Sequence, residues 1–212
     1  MALRKQAATA GAEPADAGGE GLTAAEIAYR GVVMRYLSCG LLVIGLGLWT
    51  NARGANDQNA VVAPHAKQLV AVRGEKLAPF DAPQFLRAPY LVLYFGAGWC
   101  PDCRKFSPSL VKAYDQQPAT SRRFEVLLIS QDRSEAEMRQ FMIREKMRWP
   151  ALAYSEVAGA KDLARYHPNG AIPWLAVIDH RGTVLLQSES DKDAEEVLKR
   201  LEARTASPDV PR

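Results

Sequence analysis

The chain has 212 residues, of which 48% are hydrophobic and 24% are charged, and this composition excludes a fibrous or wholly disordered protein. The length suits one ordinary domain with extensions. A net charge of +3, without any cluster of five or more Lys/Arg residues, argues against nucleic acid as a partner. Three cysteines are too few for a disulfide-stapled scaffold.

The N-terminal part of the chain is expected to lie outside the main fold. Residues 1–31 begin with a stretch rich in Ala and Gly, which predicts a disordered leader on the cytoplasmic side. Residues 32–50 contain an apolar run and are interpreted as a signal anchor or transmembrane helix in the cytoplasmic (inner) membrane. Residues 51–66 are mostly polar and small and are expected to form a linker.

The apolar run is short for a bilayer-spanning helix, so alternatives stay open. It has 14 residues over Tyr36–Trp49, or 18 when counted from Val32, whereas a spanning helix needs about 20. The alternatives are a cleaved secretory signal peptide ending near Ala52 and a buried core helix. Arg30 and Arg35 precede the run, which favours a single-pass anchor with the main domain facing the periplasm or the outside.

Residues 67–204 are predicted to form the main domain, and residues 205–212 a disordered tail. Several strand-like runs are continuously apolar, which is typical of strands covered on both faces. The runs are Gln68–Val72, Tyr90–Phe95, Phe124–Ser130, Trp174–Asp179 and Thr183–Gln187. Apolar residues at steps of three and four predict three helices: one from Cys103 onward, one after the capping box Ser134–Glu137 and one after Asp193.

The order of these elements predicts an α/β fold. Strands alternate with helices, and the tight turn His180–Gly182 pairs the last two strands antiparallel. We therefore expect a central mixed β-sheet with helices on both faces, preceded by one N-terminal apolar helix that is either transmembrane or a signal.

A Cys-x-x-Cys unit stands between an apolar strand and a helix, in the pentapeptide WCPDC of residues 99–103. Proline suits the first helical turn, so Cys100 is expected at the helix N-terminus, where unpaired N–H groups and the helix dipole stabilise a thiolate. Cys103 follows one turn later, where it can resolve a mixed disulfide between Cys100 and a client. The carboxylate of Asp102 lies between them and opposes thiolate formation.

Two structural alternatives to a redox pair are a pair of buried thiols and half of a zinc site. Zinc needs about four ligands, and His65, His167 and His180 lie in predicted loops without metal-ligand spacing, so no metal is expected. The sequence contains neither a flavin nor a nicotinamide motif. No cofactor is therefore expected, and the electrons of a reductase would come from a separate thiol protein.

The active-site segment FGAGWCPDCRKFSP resembles that of the thioredoxin superfamily, in which Pro108 matches the proline that kinks the long helix. More narrowly, LYFGAGWCPDC, ISQDRSEAEMRQF and WPALAY resemble motifs of the tryparedoxin and nucleoredoxin branch, and the likeness runs from about Leu69 to Gln187. The resemblance implies a thioredoxin-like fold and a thiol–disulfide oxidoreductase. Cys100 would be its nucleophile and Cys103 its resolving cysteine.

The resemblance also implies a client-binding surface around the cysteines. Ile172-Pro173 corresponds to the cis-proline loop of the family, which faces the Cys-x-x-Cys unit and binds the substrate strand, although a trans proline opening a strand is the alternative. Trp99 is expected on the same surface unless it is a core aromatic. Pro101, Asp102 and Trp174 complete the predicted substrate-binding set.

Three positions near this site carry separate expectations. Tyr94 stands where thioredoxin has a buried aspartate, so the proton acceptor for Cys103 is expected to be water or another group. Trp174 replaces the small residue that relatives carry after the cis-proline, and its ring is expected to reshape the groove. Asp132 matches a polar position near the active site of relatives, and a helix-leading surface acid is an equal interpretation.

The leading functional hypothesis is a membrane-anchored protein-disulfide reductase that acts on exported client proteins and accepts electrons from a separate thiol donor. An oxidant or isomerase of the same fold is one alternative. A second is a redox-sensing or client-binding module whose cysteines do not turn over. Thiol peroxidase and chaperone roles are weaker alternatives, the latter depending on exposed Trp99 and Trp174.

Overall fold

The computed structural model describes residues 58–81 and 83–206. The predicted leader, the anchor at residues 32–50, the first part of the linker and the tail beyond Ala206 lie outside these ranges. Within the described ranges, none of the helices has the length and apolar character needed to cross a bilayer.

The described residues form strands and helices in the order β, β, β, α, β, α, β, α, α, β, β, α. The strands are β1 (Leu69–Arg73), β2 (Lys76–Pro79), β3 (Tyr90–Gly96), β4 (Phe124–Ser130), β5 (Ala151–Leu152), β6 (Trp174–Ile178) and β7 (Val184–Gln187). The helices are α1 (Pro101–Asp115), α2 (Glu135–Arg144), α3 (Tyr154–Val157), α4 (Lys161–Ala164) and α5 (Ala194–Ala206). Short 3-10 helices at Ala63–Gln68 and Phe85–Arg87 precede β1 and β3.

The described strands form one mixed sheet in the order β2-β1-β5-β4-β3-β6-β7. β3 pairs parallel with β4 and antiparallel with β6, and every residue of β3 and β4 is buried. Burial on both faces explains why these two strands read as continuous apolar runs. The predicted mixed sheet is confirmed. The sequence did not predict the short strands β2 and β5. β2 forms one edge of the sheet beside β1, and β5 joins β1 to β4.

The two faces of the sheet have separate cores. On one face Val92 and Tyr94 pack with the apolar residues of α1, α2 and α5. On the other face Leu91, Leu93 and Phe95 pack with α4 and the second 3-10 helix. Because side chains alternate along a strand, consecutive residues of β3 supply both cores. The Cys-x-x-Cys unit at the start of α1 belongs to the first core.

The linker prediction was wrong for residues 58–66, which pack against the domain. Val62 is fully buried, and the Asn59 side chain accepts hydrogen bonds from the backbone N–H groups of Val61 and Val62 at 3.1 Å. Most residues of the segment are polar or small, so its composition did not indicate that Val61 and Val62 are buried. At the other end α5 continues to Ala206, two residues beyond the predicted domain end.

Candidate active site

Cys100 caps the N-terminus of α1. Its backbone is extended (φ −78°, ψ 119°), Pro101 follows in the first turn, and the Cys103 N–H donates to Cys100 Sγ at 3.2 Å. The sulfur therefore takes the place of the oxygen that an ordinary N-cap side chain supplies. Cys100 Sγ thus lies beside backbone N–H groups at the positive end of the α1 dipole.

The two cysteines are free thiols in unequal surroundings. Cys100 retains 5% exposure, whereas Cys103 is completely buried one turn deeper. Burial raises the pKa of the Cys103 thiol, and its hydrogen bond with Cys100 adds to the rise. Only Cys100 is therefore placed to meet a client, and Cys103 is placed to react with Cys100.

The loop before β6 faces the cysteine pair. The Ile172–Pro173 peptide bond is cis, and Cys100 Sγ lies 3.6 Å from the Ile172 carbonyl oxygen. Ile172 is half-buried and Pro173 is buried. The structure thus brings together Cys100, Cys103 and the Ile172–Pro173 loop, as the resemblance implied, and backbone groups of the loop stand beside the reactive sulfur.

Tyr94 occupies the interior beneath Cys103. Its side chain is fully buried on β3, and its hydroxyl lies 2.9 Å from Ser107 Oγ. Ser107 Oγ in turn donates to the Cys103 carbonyl oxygen at 2.8 Å. A β-carbon added at Gly96 would lie 2.7 Å from the Tyr94 ring, so position 96 accommodates only glycine beside this ring. The sequence shows tyrosine in place of the aspartate of thioredoxin, but it does not predict the Tyr94–Ser107 pair.

Trp99 lies on the surface beside Cys100. Its side chain is 46% exposed, its Nε1–H donates to the Gln131 carbonyl oxygen at 3.0 Å, and the Arg133 guanidinium lies 5.6 Å from the ring centroid. The core alternative for Trp99 is therefore excluded. Pro101 and Asp102 are also exposed, and the Asp102 carboxylate pairs with Lys105 at 3.0 Å.

Comparisons with known proteins agree with this geometry. Residues 89–184 match the model of a family described as thioredoxin-like. The chain carries a thioredoxin-like domain related to nucleoredoxin and tryparedoxin.

Relatives of the thioredoxin-like domain include a nucleoredoxin of Xenopus laevis, 36% identical over 100 residues, and a tryparedoxin of Trypanosoma brucei brucei, 36% identical over 87 residues. The alignments cover 47% and 41% of this chain, 24% of the nucleoredoxin and 58% of the tryparedoxin. The chain therefore spans about a quarter of that nucleoredoxin's length. The solved structure of tryparedoxin II from C. fasciculata is 30% identical, with a TM-score of 0.51, and the match covers 67% of this chain and 88% of that one.

Trp174 does not line the client surface, and the prediction for its ring was wrong. The side chain is only 2% exposed, and its Nε1–H donates to the Tyr166 carbonyl oxygen at 2.8 Å. Trp174 is the first residue of β6 and points into the core on the face opposite α1, where it packs near His167. The sequence shows that tryptophan replaces the small residue of relatives, but it does not show on which face of the sheet the Trp174 side chain lies.

Asp132 anchors the active-site loop of the thioredoxin-like domain. Its carboxylate accepts hydrogen bonds from the Gly98 N–H and the Ser130 hydroxyl, both at 2.8 Å. Burial raises the pKa of Asp132, although both hydrogen bonds oppose the rise. The interpretation as an exposed helix-leading acid is therefore excluded, because the side chain is buried and holds the residue two positions before Cys100.

The Gly98 carbonyl oxygen is a second anchor of this loop, which the sequence did not predict. It accepts from Arg104 at 2.9 Å and from Arg144 at 3.2 Å. Arg104 follows Cys103 on α1, and Arg144 ends α2, so two helices hold one peptide group of the loop. The hydrogen bonds converge only in the folded chain, and sequence spacing does not reveal them. Among the described residues, no group of three or more His, Cys, Asp or Glu side chains converges as a metal site requires.

Proposed function

We propose that this protein is a thiol–disulfide oxidoreductase that reduces disulfide bonds of client proteins through Cys100 and Cys103. The observation that carries the proposal is the position of Cys100 Sγ. It caps a helix N-terminus, retains some exposure and lies 3.6 Å from the Ile172 carbonyl oxygen, with Cys103 buried behind it. The relationship to nucleoredoxin and tryparedoxin supports thiol oxidoreductase chemistry at this pair.

The proposed reaction consists of two thiol–disulfide exchanges. The Cys100 thiolate attacks a client disulfide, a mixed disulfide forms, and the first client sulfur leaves as a thiol. Cys103 then attacks Cys100 Sγ, which closes the Cys100–Cys103 disulfide and releases the second client thiol. Two electrons pass to the client, and a separate thiol protein must return two electrons to the pair before the next cycle.

The first test identifies the attacking sulfur. Cys103→Ser is expected to accumulate a covalent mixed disulfide with a disulfide-bonded protein substrate, because the resolving thiol is missing. Cys100→Ser is expected to form none, because Cys103 is buried. Mass spectrometry of the unreduced adduct identifies the bonded cysteine, and Cys39→Ser, outside the pair, serves as the control. An adduct through Cys103, or none in any variant, overturns the proposal.

The direction of electron flow follows from the reduction potential of the pair. We expect a value near that of thioredoxin, about −270 mV, measured by equilibration with dithiothreitol. A value of about −120 to −180 mV would assign the protein to the oxidants or isomerases instead. Absence of a reversible couple would favour a redox-sensing or client-binding module.

We further propose that residues 32–50 anchor the chain in the cytoplasmic membrane and that its clients are exported proteins. The apolar run and the two arginines before it support this proposal. A membrane-impermeant thiol reagent should then label Cys100 in intact cells, with Cys100→Ser as the control. Labelling only after lysis would place the domain in the cytoplasm and overturn the proposed orientation.

A further inference from the structure

The only polar atom of the Tyr94 side chain is its hydroxyl oxygen, which lies at the buried end of the cysteine pair. The ring packs edge-on against Phe106 of α1, with centroids 5.7 Å apart, and Gly96 leaves the space that the ring fills. This packing holds the hydroxyl 2.9 Å from Ser107 Oγ, and hydrogen bonding by Tyr94 lowers the pKa of Cys103. A phenol at this place is not needed for packing alone, since phenylalanine has the same ring.

The hydrogen bonds around Ser107 indicate where the hydroxyl protons lie in the dithiol form. Ser107 Oγ donates its one proton to the Cys103 carbonyl oxygen at 2.8 Å. Its contact with the Tyr94 hydroxyl at 2.9 Å must then use the Tyr94 proton, since a hydroxyl has one donor and two acceptor sites. In the dithiol form the Tyr94 proton therefore points to Ser107 and not to Cys103.

We propose that Tyr94 is a catalytic residue of the resolving step: its hydroxyl turns from Ser107 to Cys103 Sγ and donates a hydrogen bond to the thiolate as it forms. The inference rests on the proposed function, because only a turnover cycle requires Cys103 to ionise. Ser107 is a positioning residue that holds the hydroxyl in the dithiol form.

The step balances without a further reactant. Cys103 gives up its thiol proton and its sulfur attacks Cys100 Sγ, so the Cys103–Cys100 bond forms and the bond from Cys100 to the client sulfur breaks. The client sulfur leaves with the bonding electron pair and takes up one proton, so that the proton lost by Cys103 passes through solvent to the departing client thiol and none is gained or lost overall. Tyr94 acts as a donor and not as the base, because burial and the neighbouring cysteines raise its pKa well above the ordinary value.

Few groups other than Tyr94 can stabilise the negative charge of the Cys103 thiolate. Burial and Cys100 raise the pKa of Cys103, whereas hydrogen bonds of the Ala97 backbone and the Tyr94 side chain lower it. In the mixed disulfide Cys100 has no proton to donate. The Tyr94 hydroxyl is then the side-chain group that favours the Cys103 thiolate beside the Ala97 backbone, against the burial that opposes the charge.

The test separates the two exchanges in one kinetic trace. The full-length chain, reduced and carrying Cys39→Ser, is mixed with an aromatic disulfide that releases one coloured thiolate at each step. The first release reports attack by Cys100 and the second reports attack by Cys103. In Tyr94→Phe we expect the first phase to stay within about twofold of wild type and the second to slow about tenfold or more.

A pH profile distinguishes a lost donor from a disturbed structure. If Tyr94 stabilises the thiolate, the second phase of Tyr94→Phe regains speed as pH rises, and its midpoint lies above that of wild type. The matched control is Tyr114→Phe. It also removes a buried tyrosine hydroxyl, which lies on α1 and donates to Glu125 at 2.7 Å. Both phases of the control should match wild type.

A fluorinated tyrosine at position 94 provides a second variant that keeps the ring and the hydroxyl. Fluorination makes the phenol a stronger donor, so the second phase should be faster than in wild type. Equal second-phase rates in wild type, Tyr94→Phe and the fluorinated chain overturn the role of Tyr94 while leaving the proposed function intact. A wild-type trace with no second release overturns the resolving step itself.

Discussion

Burial gives the two cysteines different chemistry although they are one helical turn apart. Cys100 Sγ receives a backbone N–H at the start of α1 and retains a small exposed surface. Cys103 is enclosed, and its pKa is raised by that burial. An attacking thiol needs access and a stabilised thiolate, whereas a resolving thiol needs only its partner sulfur. The roles proposed for the two residues follow from these surroundings.

At the residue scale, Asp132→Asn is expected to make the free energy of unfolding less sensitive to pH. The native pKa of Asp132 is raised above its ordinary value of 3.8, so the wild type gains stability while this carboxyl is protonated. That gain is lost as pH rises from about the ordinary value through the raised one. Asparagine keeps an oxygen for the Gly98 N–H and cannot ionise. Urea unfolding at a series of pH values measures the difference.

The control for this prediction is Asp191→Asn, which removes an exposed carboxylate before α5. Its pH profile should follow that of wild type. The stability of Asp132→Asn relative to wild type should instead increase with pH across the acid range. Parallel profiles for wild type and Asp132→Asn would show that the buried carboxylate is not a source of the pH dependence.

At the scale of the element, α2 supports the active-site loop from one side. The Arg144 side chain at its C-terminal end donates to the Gly98 carbonyl oxygen, and a β-carbon added at Gly98 would lie 3.0 Å from Phe141 Cβ. The N-terminus of α2 is capped by Ser134, whose hydroxyl oxygen accepts the Glu137 N–H at 3.2 Å. Glu137 reaches back to the Arg133 N–H, one residue before the usual partner of a capping box.

Ser134→Ala is expected to lower the free energy of unfolding by about 1 kcal/mol, because the Glu137 N–H loses its cap. Denaturant unfolding of the full-length chain measures the change. The control is Ser155→Ala, since the exposed Ser155 hydroxyl donates to the Glu156 side chain and caps no helix. That variant should stay within about 0.5 kcal/mol of wild type. Equal effects of the two substitutions would contradict the assigned cap.

Local features of the sequence were sufficient for the elements that carry the cysteines. The apolar runs of β3 and β4 and the proline after Cys100 each depend on neighbours in the chain, and the structure places these elements within one residue of the prediction. Contacts between distant residues were not predictable. The Tyr94–Ser107 pair requires β3 to lie under α1, and the inward turn of Trp174 depends on the facing of β6.

At the scale of the whole molecule, residues 58–62 tie together loops that are far apart in sequence. The Asn59 N–H donates to the Leu86 carbonyl oxygen at 2.7 Å, and its side-chain amide donates to the Asp179 carbonyl oxygen at 3.0 Å. Val61 packs where Gly182 has no side chain, since a β-carbon there would collide with it. Gly182 also has φ +85°, a conformation that glycine adopts at low cost.

These contacts of residues 58–62 predict that the segment before β1 contributes to the stability of the domain. Val62→Ala should lower the free energy of unfolding by about 1–3 kcal/mol, because the side chain is fully buried in the core opposite α1. Val184→Ala removes the same atoms from a side chain that is 40% exposed on β7 and should cost about 0.5 kcal/mol or less. Urea unfolding of both full-length variants gives the comparison. If Val62→Ala costs no more than Val184→Ala, residues 58–62 lie against the domain without stabilising it, and a stable domain would begin near the predicted boundary at residue 67.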